Sequence, residues 1–224
     1  MLKIDTKFSV EKAHAMQSRL SKLVIQEDTL PKNIRYVAGV DVAYTADLSL
    51  GAAVVLDYNS LSVVESKKAK TQTRFPYIPT LLSFREISPT LAAIKKLKAQ
   101  PDVFLVDGQG IAHPYRLGFA SHIGLVLNKP TIGVAKSLLC GQTGAFNQEG
   151  WAPITEKGEV VGAVVVTDRK KPIYVSVGHK VSLKRAIETV KHCTQTHRIP
   201  EPIRAAHAMA DEEKRRLVRT KLNL

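Results

Sequence analysis

The sequence has few cysteines and no long apolar run, and both shortages exclude classes of protein. Its two cysteines, Cys140 and Cys193, are too few for a disulfide framework, and no CxxC or Cys/His grouping indicates a zinc site. No stretch is long and apolar enough to cross a bilayer, so we expect no membrane partner. Residues Met1 to Val10 lack the apolar core of a secretory signal. Together these shortages predict a cytoplasmic protein.

Acidic residues are also scarce relative to basic ones. Among 224 residues, 20 Asp and Glu stand against 33 Lys and Arg, which gives a formal net charge of +13. Such a surplus favours a polyanionic partner, either nucleic acid or an anionic membrane face. The length and the apolar content of 44% suit one domain with a substantial core, so we expect residues 1–224 to form a single domain.

Hydrophobic periodicity predicts an α/β fold. A helix over Val10–Ile25 precedes an antiparallel meander of three strands, Tyr36–Tyr44, Leu50–Tyr58 and Leu61–Lys70. The later elements are a helix over Thr80–Ala99 with a break at Ser88-Pro89, strands Val103–Asp107, Thr131–Ala135, Val160–Thr167 and Ile173–Val177, and helices Leu117–Leu127, Ser182–Cys193 and Pro202–Leu217. The fold class is a mixed central sheet, three antiparallel strands followed by parallel strands, with flanking helices. Trp151 is expected in the core.

Two acidic residues interrupt apolar strands. Asp41 lies inside the run Val37–Ala43, and Asp107 ends the run Val103–Asp107. Burying a carboxylate near the centre of a sheet costs several kcal/mol unless a cation or strong donors compensate it. An alternative for Asp107 is a strand end that caps the turn at Gly108. Two such acids on neighbouring strands predict instead that they share a divalent cation.

Glu86 is the best candidate for a third carboxylate. It lies on an otherwise apolar face of the predicted helix, and the alternative is a surface residue paired with Arg85, Lys95 or Lys96. Oxygen ligands suit Mg²⁺, and Mn²⁺ can substitute for it. Three acids in a strongly basic chain predict metal-assisted phosphodiester hydrolysis, in which one metal activates water and the other stabilises the departing oxygen.

Three further polar residues are candidates near these acids. Lys136 follows an apolar strand, where it can hold a phosphate, although an ordinary surface lysine is the commoner case. His207 lies on the last predicted helix, and His113 lies in the segment after Gly110. A single histidine is more often structural than catalytic, so both interpretations stay open.

The segment Pro76-Tyr77-Ile78-Pro79 predicts a stiff loop. Its two prolines forbid a regular helix or a central strand. Tyr77 is therefore an aromatic side chain on a rigid support. Such a residue can enter a base stack and hold a displaced base, and the alternative is a tyrosine that closes a hydrophobic cluster.

Five motifs, in order and with compatible gaps, resemble the endonuclease V family. They are Gly39-Val40-Asp41-Val42-Ala43-Tyr44, Pro76-Tyr77-Ile78-Pro79, Leu81-Leu82-Ser83-Phe84-Arg85-Glu86, Val106-Asp107-Gly108-Gln109-Gly110 with His113-Pro114, and Ile132-Gly133-Val134-Ala135-Lys136-Ser137. The resemblance spans nearly the whole chain, as far as His207. It implies an RNase H-like fold with metal-binding acids on the first strand, the following helix and the fourth strand. The residues themselves predict the same placement.

The resemblance also implies an activity. It implies an enzyme that recognises deoxyinosine in DNA, and by extension inosine in RNA. The enzyme nicks the second phosphodiester bond 3′ to the lesion with Mg²⁺ or Mn²⁺ and leaves 3′-hydroxyl and 5′-phosphate ends. Asp41 and Asp107 would be metal ligands, and Glu86 a third, directly or through water. Lys136 would contact the scissile region, and His207 would position the attacking water or a second metal.

The remaining implied roles concern the substrate. The segment Pro76–Pro79 would act as a wedge, with Tyr77 stacking where the base left. Leu82 and the backbone of Gly108 would line the base pocket, and His113 would support it. We expect a monomer that binds the flanking nucleic-acid backbone through basic residues: Arg74, Lys129, Lys136 and Lys180.

Four positions depart from the family pattern. Thr80 and Ile87-Ser88 stand where glycine is expected, Tyr115 where arginine is expected, and Val177 where proline is expected. Thr80 lies nearest the expected pocket, so it bears on lesion specificity. Tyr115 removes a positive charge from the expected nucleic-acid face.

Two alternative functions share the same fold. A junction nuclease would use the three acids but would not need the Pro76–Pro79 wedge. A non-catalytic nucleic-acid-binding module would gain nothing from acids that repel phosphate, so the intact set of acids argues against it.

Overall fold

The computed structural model describes residues 9–167 and 171–222, so most of the segment in which we expect no secretory signal lies outside it. Over these residues the chain forms five α-helices: α1 (Val10–Leu20), α2 (Leu82–Ile94), α3 (Phe119–Leu127), α4 (Leu183–Cys193) and α5 (Glu201–Leu222). A short 3-10 turn, Ser21–Leu23, extends α1. None of the helices in the described ranges has both the length and the apolar character that a membrane span needs.

Nine strands form one sheet within the described ranges. They are β1 (Tyr36–Tyr44), β2 (Leu48–Asp57), β3 (Val63–Gln72), β4 (Val103–Asp107), β5 (Thr131–Ala135), β6 (Gln142–Thr143), β7 (Trp151–Glu156), β8 (Glu159–Val166) and β9 (Pro172–His179). Their order is β3-β2-β1-β4-β5-β9-β8-β7-β6. Strands β1 to β3 are antiparallel, β4 and β5 run parallel to β1, and β9 returns antiparallel to β5. The predicted fold class is confirmed.

Helices cover both faces of the sheet. On one face, Leu105 packs in a core that includes Ile203 of α5 and residues of α4. On the other face, Val106 packs in a core that includes Ile123 of α3 and residues of α2. Burial on both faces explains why the central strands are almost continuously apolar rather than alternating.

Two glycines let helices lie directly on the central strands. A Cβ at Gly39 of β1 would stand 1.9 Å from the carbonyl oxygen of Pro202, and one at Gly51 of β2 would stand 2.1 Å from that of Pro89. Any side chain at these glycines would push α5 off β1 or α2 off β2. The glycines therefore set the positions of the two helices that carry His207 and Glu86.

The buried face of α1 differs from the predicted one. The helical spacing of the sequence places Ala13, Met16, Leu20, Leu23 and Val24 on one apolar face. In the structure Ala13 and Gln17 are buried, whereas Met16 and Leu23 are 51% and 61% exposed. A polar residue at position 17 interrupts the apolar row on the buried side, so hydrophobicity alone selected a neighbouring face. The role of Gln17 becomes clear at the loop described below.

Two predictions farther along the chain also need correction. Helix α2 begins at Leu82 and runs through Pro89 to Ile94 without the predicted break. Strand β7 was not predicted, and Trp151 at its start is only partly buried. Its ring packs against the core, and its indole N–H donates to Glu149 Oε2 at 3.0 Å.

Candidate active site

Asp41 and Asp107 meet on neighbouring strands. The parallel register pairs Val40 of β1 with Val106 of β4, so each carboxylate belongs to the next residue along its strand. One ligand atom from each of Asp41, Asp107 and His207 lies within 4.8 Å of the others. We call these three residues the acid cluster.

His207 reaches the acid cluster from α5. Its Nδ1 lies 2.6 Å from Oδ2 of Asp41, and its Nε2 lies 3.4 Å from Oδ2 of Asp211 one helical turn away. The close packing at Gly39 brings this part of α5 against β1. A residue 166 positions from Asp41 thus joins the same site.

The electrostatics of the acid cluster favour a cation. Burial raises the pKa of the Asp41 carboxyl, and the charge of Asp107 raises it further, while the hydrogen bond with His207 lowers it. Two neighbouring carboxylates that resist being ionised together are stabilised by positive charge placed between them.

Lys136 supplies one such charge. It directly follows β5, and its Nζ lies 2.6 Å from Oδ2 of Asp107. Arg198 donates to the backbone carbonyl of Lys136 at 2.7 Å, which fixes the start of this segment. The side chain of Lys136 is about half exposed, so its ammonium group can also reach an anion from solvent.

Glu86 stands beside the acid cluster but is not part of it. The residue is only 8% exposed, and its Oε1 accepts a hydrogen bond from the Tyr44 hydroxyl at 3.2 Å. Burial raises the pKa of Glu86 to about 8, and the charge of Asp41 is the second cause. Its carboxyl group therefore senses the acid cluster electrostatically while its direct partner is Tyr44.

The donor set of the acid cluster fits a divalent metal ion. Carboxylate oxygens are preferred by Mg²⁺ and Mn²⁺, and an imidazole nitrogen is compatible with transition metals. The three donors already converge, and the pKa of Asp41 is raised in part by repulsion from Asp107. A cation would remove that repulsion.

A cavity of about 170 Å³ adjoins the acid cluster. We call it the loop cavity. It is lined by Tyr77, Ile78, Pro79, Thr80, Leu82, Ser83, Gly108, Gln109, His113, Gly118, Phe119 and Leu139. Six of the seven residues predicted to contact substrate are among them, and the seventh, Pro76, precedes them on the loop. Since Gly108 directly follows Asp107, the cavity and the acid cluster are one residue apart along the chain.

The wedge loop, Pro76–Pro79, forms one wall of the loop cavity. Tyr77 is 68% exposed, which argues against the interpretation in which it closes a hydrophobic cluster. Thr80 follows the loop with a φ of +70°, in the left-handed region. This backbone conformation gives a physical reason for the glycine expected at this position.

Two histidines near the loop cavity are neutral at pH 7. Burial lowers the pKa of His113 to about 4 and that of His122 to about 4. His113 lines the cavity, and its Nδ1 accepts a hydrogen bond from the Tyr115 backbone N–H at 3.2 Å. His122 Nδ1 lies 3.1 Å from the hydroxyl of Ser83, another lining residue. His113 is thus an uncharged wall residue, and His122 is an uncharged partner of a wall residue.

Sequence reasoning missed the contribution of α1. His14 Nε2 lies 2.9 Å from the Thr80 hydroxyl, and Gln17 Nε2 donates to the Thr80 carbonyl at 2.8 Å. The available signal was a glutamine on the buried row of an otherwise apolar helical face. Its partner, 63 residues away, cannot be found from local periodicity.

The basic residues named from the sequence divide between two ends of the sheet. Lys136 lies where β5 ends, near Asp107. Lys129 lies just before β5 begins, and Lys180 follows His179, which pairs with the first residue of β5. Lys129 and Lys180 therefore stand at the opposite end of the parallel strands from Asp107, and their contact with the flanking backbone stays a prediction.

Comparison with known proteins identifies relatives of this chain. The family model of endonuclease V matches residues 18–208. The endonuclease V of Thermofilum pendens is 48% identical over 210 residues, which cover 93% of this chain and 90% of that protein.

Two solved structures are also similar. Endonuclease V from Streptomyces avermitilis has a TM-score of 0.87 and 36% identity, covering 97% of this chain and 99% of that one. Endonuclease V from Ciona intestinalis has a TM-score of 0.84 and 36% identity, covering 93% of this chain and 98% of that one. The Ciona structure is a complex with a 24-mer DNA that contains an inosine followed by a ribo-adenosine.

Proposed function

This chain belongs to the endonuclease V family, and on that premise we infer that it is a metal-dependent DNA repair endonuclease that recognises deoxyinosine. One observation carries the inference. The acid cluster, which can hold a metal ion, directly adjoins a cavity walled by an exposed tyrosine on a proline-stiffened loop. Chemistry and base recognition thus have neighbouring places in one site.

The loop cavity is the proposed place of the hypoxanthine base. An enzyme that identifies a base by the whole of its edge can take that base out of the stack, and an aromatic side chain can fill the space left behind. Tyr77 is exposed enough for that contact, while Leu82 and the backbone of Gly108 line the cavity behind it. His113, being uncharged, would support the cavity wall.

Asp41, Asp107 and His207 are the proposed holders of Mg²⁺, for which Mn²⁺ can substitute, and Glu86 is the proposed third acidic ligand through water. A bound divalent ion supplies an activated water and offsets charge on the departing oxygen. Glu86 is assigned to the water-mediated position because its carboxyl lies outside the acid cluster and bonds Tyr44. His207 would also orient the attacking water from α5.

Lys136 is proposed to contact the scissile phosphate. Its Nζ already neutralises Asp107 from the open side of the site. The proposed cut is the second phosphodiester bond 3′ to the lesion, with 3′-hydroxyl and 5′-phosphate products. Residues of the wedge loop line the cavity together with Gly108, whereas Lys136 contacts Asp107, which supports separate contacts for the base and the cut phosphate.

The test uses a labelled duplex with one deoxyinosine, the same duplex without it, and a four-way junction, each with Mg²⁺. We expect one nick in the deoxyinosine strand, at the second bond on the 3′ side, with ends that a DNA ligase seals directly, as it does 3′-hydroxyl and 5′-phosphate ends. Cleavage of the junction alone would refute the proposal. Binding without cleavage would favour the non-catalytic module.

The proposal extends to inosine in RNA. The observation that favours it is the Ciona relative, whose bound DNA has a ribo-adenosine after the inosine. Cleavage rates of matched deoxyinosine DNA and inosine RNA, measured at one stated salt concentration, give the preference. RNA that is bound and never cut would remove this extension.

We also propose that the whole chain acts as one catalytic domain, as a monomer, in the cytoplasm. The single sheet and the free thiols of Cys140 and Cys193 support this setting. Size-exclusion chromatography with light scattering would contradict the monomer by giving twice the chain mass of 24.6 kDa.

A further inference from the structure

Thr80 holds a backbone conformation that its own side chain disfavours. Its φ is +70°, and a β-branched residue in the left-handed region is a genuine outlier that surrounding contacts must maintain. It directly follows the wedge loop and itself lines the loop cavity. Whatever holds Thr80 therefore also sets the end of the wedge and one cavity wall.

A continuous chain of hydrogen bonds ends at this residue. The Thr80 hydroxyl donates to the carbonyl of Pro79 at 2.5 Å, so it must accept from Nε2–H of His14 at 2.9 Å. His14 Nδ1 is then the acceptor for the Tyr115 hydroxyl at 3.0 Å. The rings of His14 and Tyr115 also stack with centroids 4.1 Å apart.

Gln17 binds the backbone of the same residue, Thr80. It is fully buried, and its Nε2 donates to the carbonyl oxygens of Thr80 at 2.8 Å and Leu117 at 3.1 Å. His14 and Gln17 are three residues apart, so they lie on one face of α1. Helix α1 thus grips both the hydroxyl and the carbonyl of Thr80.

We propose that His14 is a positioning residue for lesion recognition, which acts by holding Thr80 in its left-handed conformation and so fixing the wedge loop against the cavity. The inference rests on the proposed function for its readout. It assigns His14 no contact with substrate. Loss of His14 should let Thr80 relax and leave the wedge poorly placed, while the acid cluster stays intact.

The decisive measurement is a double-mutant cycle with His14→Ala and Thr80→Gly. Glycine adopts positive φ without strain, so it needs no grip from His14. With Thr80 present, His14→Ala should raise KM for the deoxyinosine duplex about tenfold and change kcat little, the loss expected from one partly buried hydrogen bond. With Thr80→Gly present, the same His14→Ala change should have no further effect.

Three variants separate positioning from general damage. Thr80→Val keeps the β-branched strain and removes the hydroxyl, so it should raise KM as His14→Ala does. His192→Ala is the matched control for the ring stack, because His192 and Tyr58 also stack at 4.1 Å. Lys157→Gly is the control for glycine itself, since Lys157 has a φ of +55° in the β7–β8 turn. Neither control should change KM.

Amide hydrogen exchange of residues 76–82 gives a readout that does not depend on activity. Exchange should be faster in His14→Ala than in the wild type. It should be the same in the double variant as in Thr80→Gly alone. If the wild-type protein does not cut deoxyinosine DNA, the proposed function fails while this exchange result still decides the inference. Equal effects of His14→Ala on both backgrounds, or none on either, would overturn it.

Discussion

The acid cluster and the loop cavity adjoin each other but are supported differently. Asp41 and Asp107 stand on central strands, and His207 stands on a helix packed directly against one of them. The loop cavity is walled largely by residues between regular elements, and Thr80 within it has a positive φ. One region inherits its geometry from the sheet, whereas the other needs contacts from a distant helix.

The two regions also differ in charge. The acid cluster joins two carboxylates and an exposed histidine, with Lys136 beside it. The loop cavity has neutral walls, because its lining residues carry no acid, lysine or arginine and burial lowers the pKa of His113 to about 4. A charged centre suits metal-assisted chemistry, and a neutral, partly apolar cavity suits an uncharged base. Recognition and chemistry should therefore be separable by mutation.

Asp41→Asn is expected to give the largest separation of chemistry from recognition. It keeps the shape of the side chain and removes a ligand charge, so nicking should fall at least about a thousandfold, the loss of several kcal/mol of transition-state stabilisation. Binding to the deoxyinosine duplex, measured by fluorescence anisotropy with Mg²⁺, should stay within a few-fold, as an order-of-magnitude expectation. Single-turnover cleavage rates check the first half.

Asp57→Asn is the matched control for that prediction. Asp57 pairs with Tyr36 at the far end of β1 and β2, and accepts hydrogen bonds in the following turn. Its substitution should leave cleavage unchanged. Equal loss in both variants would mean that Asp41 acts through stability, and loss of binding in Asp41→Asn would contradict the separation.

The second prediction concerns the free energy of unfolding in acid, which depends on two buried histidines at the loop cavity. The pKa of His113 and of His122 is lowered to about 4 in the folded chain, against about 6.5 when unfolded. Between these values the unfolded chain binds protons that the folded chain does not. The stabilisation is therefore complete above pH 6.5 and is lost as pH falls, by roughly 3 kcal/mol for the two at pH 5.5.

Urea unfolding from pH 7 to pH 5 measures this loss. Glu86, whose pKa is raised to about 8, binds a proton more readily in the folded chain and opposes this loss, so the contribution of one histidine is measured as a difference between variants. His122→Gln removes one of the two titrating histidines, so the stability advantage of the wild type over this variant should shrink by roughly 2 kcal/mol between pH 7 and pH 5. His192→Gln removes an exposed histidine and serves as the control. If the difference in unfolding free energy between wild type and His122→Gln does not change with pH, His122 is not the buried, neutral group that makes the fold acid-sensitive.

The sequence predicts these two regions unequally. Asp41 and Asp107 stand out because an acid inside an apolar strand violates the local pattern, and strand order then brings them together. Most of the central elements follow from periodicity in the same way. Strands β1, β2, β4 and β5 lie close to their predicted bounds, because burial on both faces leaves long apolar runs. Strand β3 is largely exposed, and it begins and ends two residues later than predicted.

What local patterns could not predict depends on contacts distant in sequence. Gln17 supports Thr80 from 63 residues away, and its polarity hid the buried face of α1. Helix α2 continues through Pro89, and the carbonyl of Pro89 packs closely against Gly51 of β2. Local helix propensity does not show such a packing contact. The placement of Lys129 and Lys180 away from Asp107 follows from β5 direction and β9 pairing.

The third prediction tests recognition without chemistry. Tyr77→Ala should lower the preference for deoxyinosine over undamaged duplex about tenfold, because stacking of a base on an aromatic ring contributes about 1–3 kcal/mol. Single-turnover cleavage at saturating enzyme should change much less. Tyr77→Phe keeps the ring and is the control. If the alanine variant discriminates as well as wild type, Tyr77 does not stack in the duplex.

The smallest expected effect concerns which end of the sheet follows the phosphate backbone. Arg74 is exposed just before the wedge loop. Lys180 stands at the end of the strands away from Asp107, and its Nζ lies 3.4 Å from the Asn128 carbonyl. Each cation that replaces a counterion on duplex DNA contributes about 0.9 to the slope of log affinity against log salt. Arg74→Ala should therefore make that slope shallower by about one unit, and Lys180→Ala should leave it unchanged. Anisotropy titrations from low to moderate salt give both slopes on the same duplex. A reduced slope in Lys180→Ala alone would indicate that DNA runs along the opposite end of the sheet, away from the acid cluster.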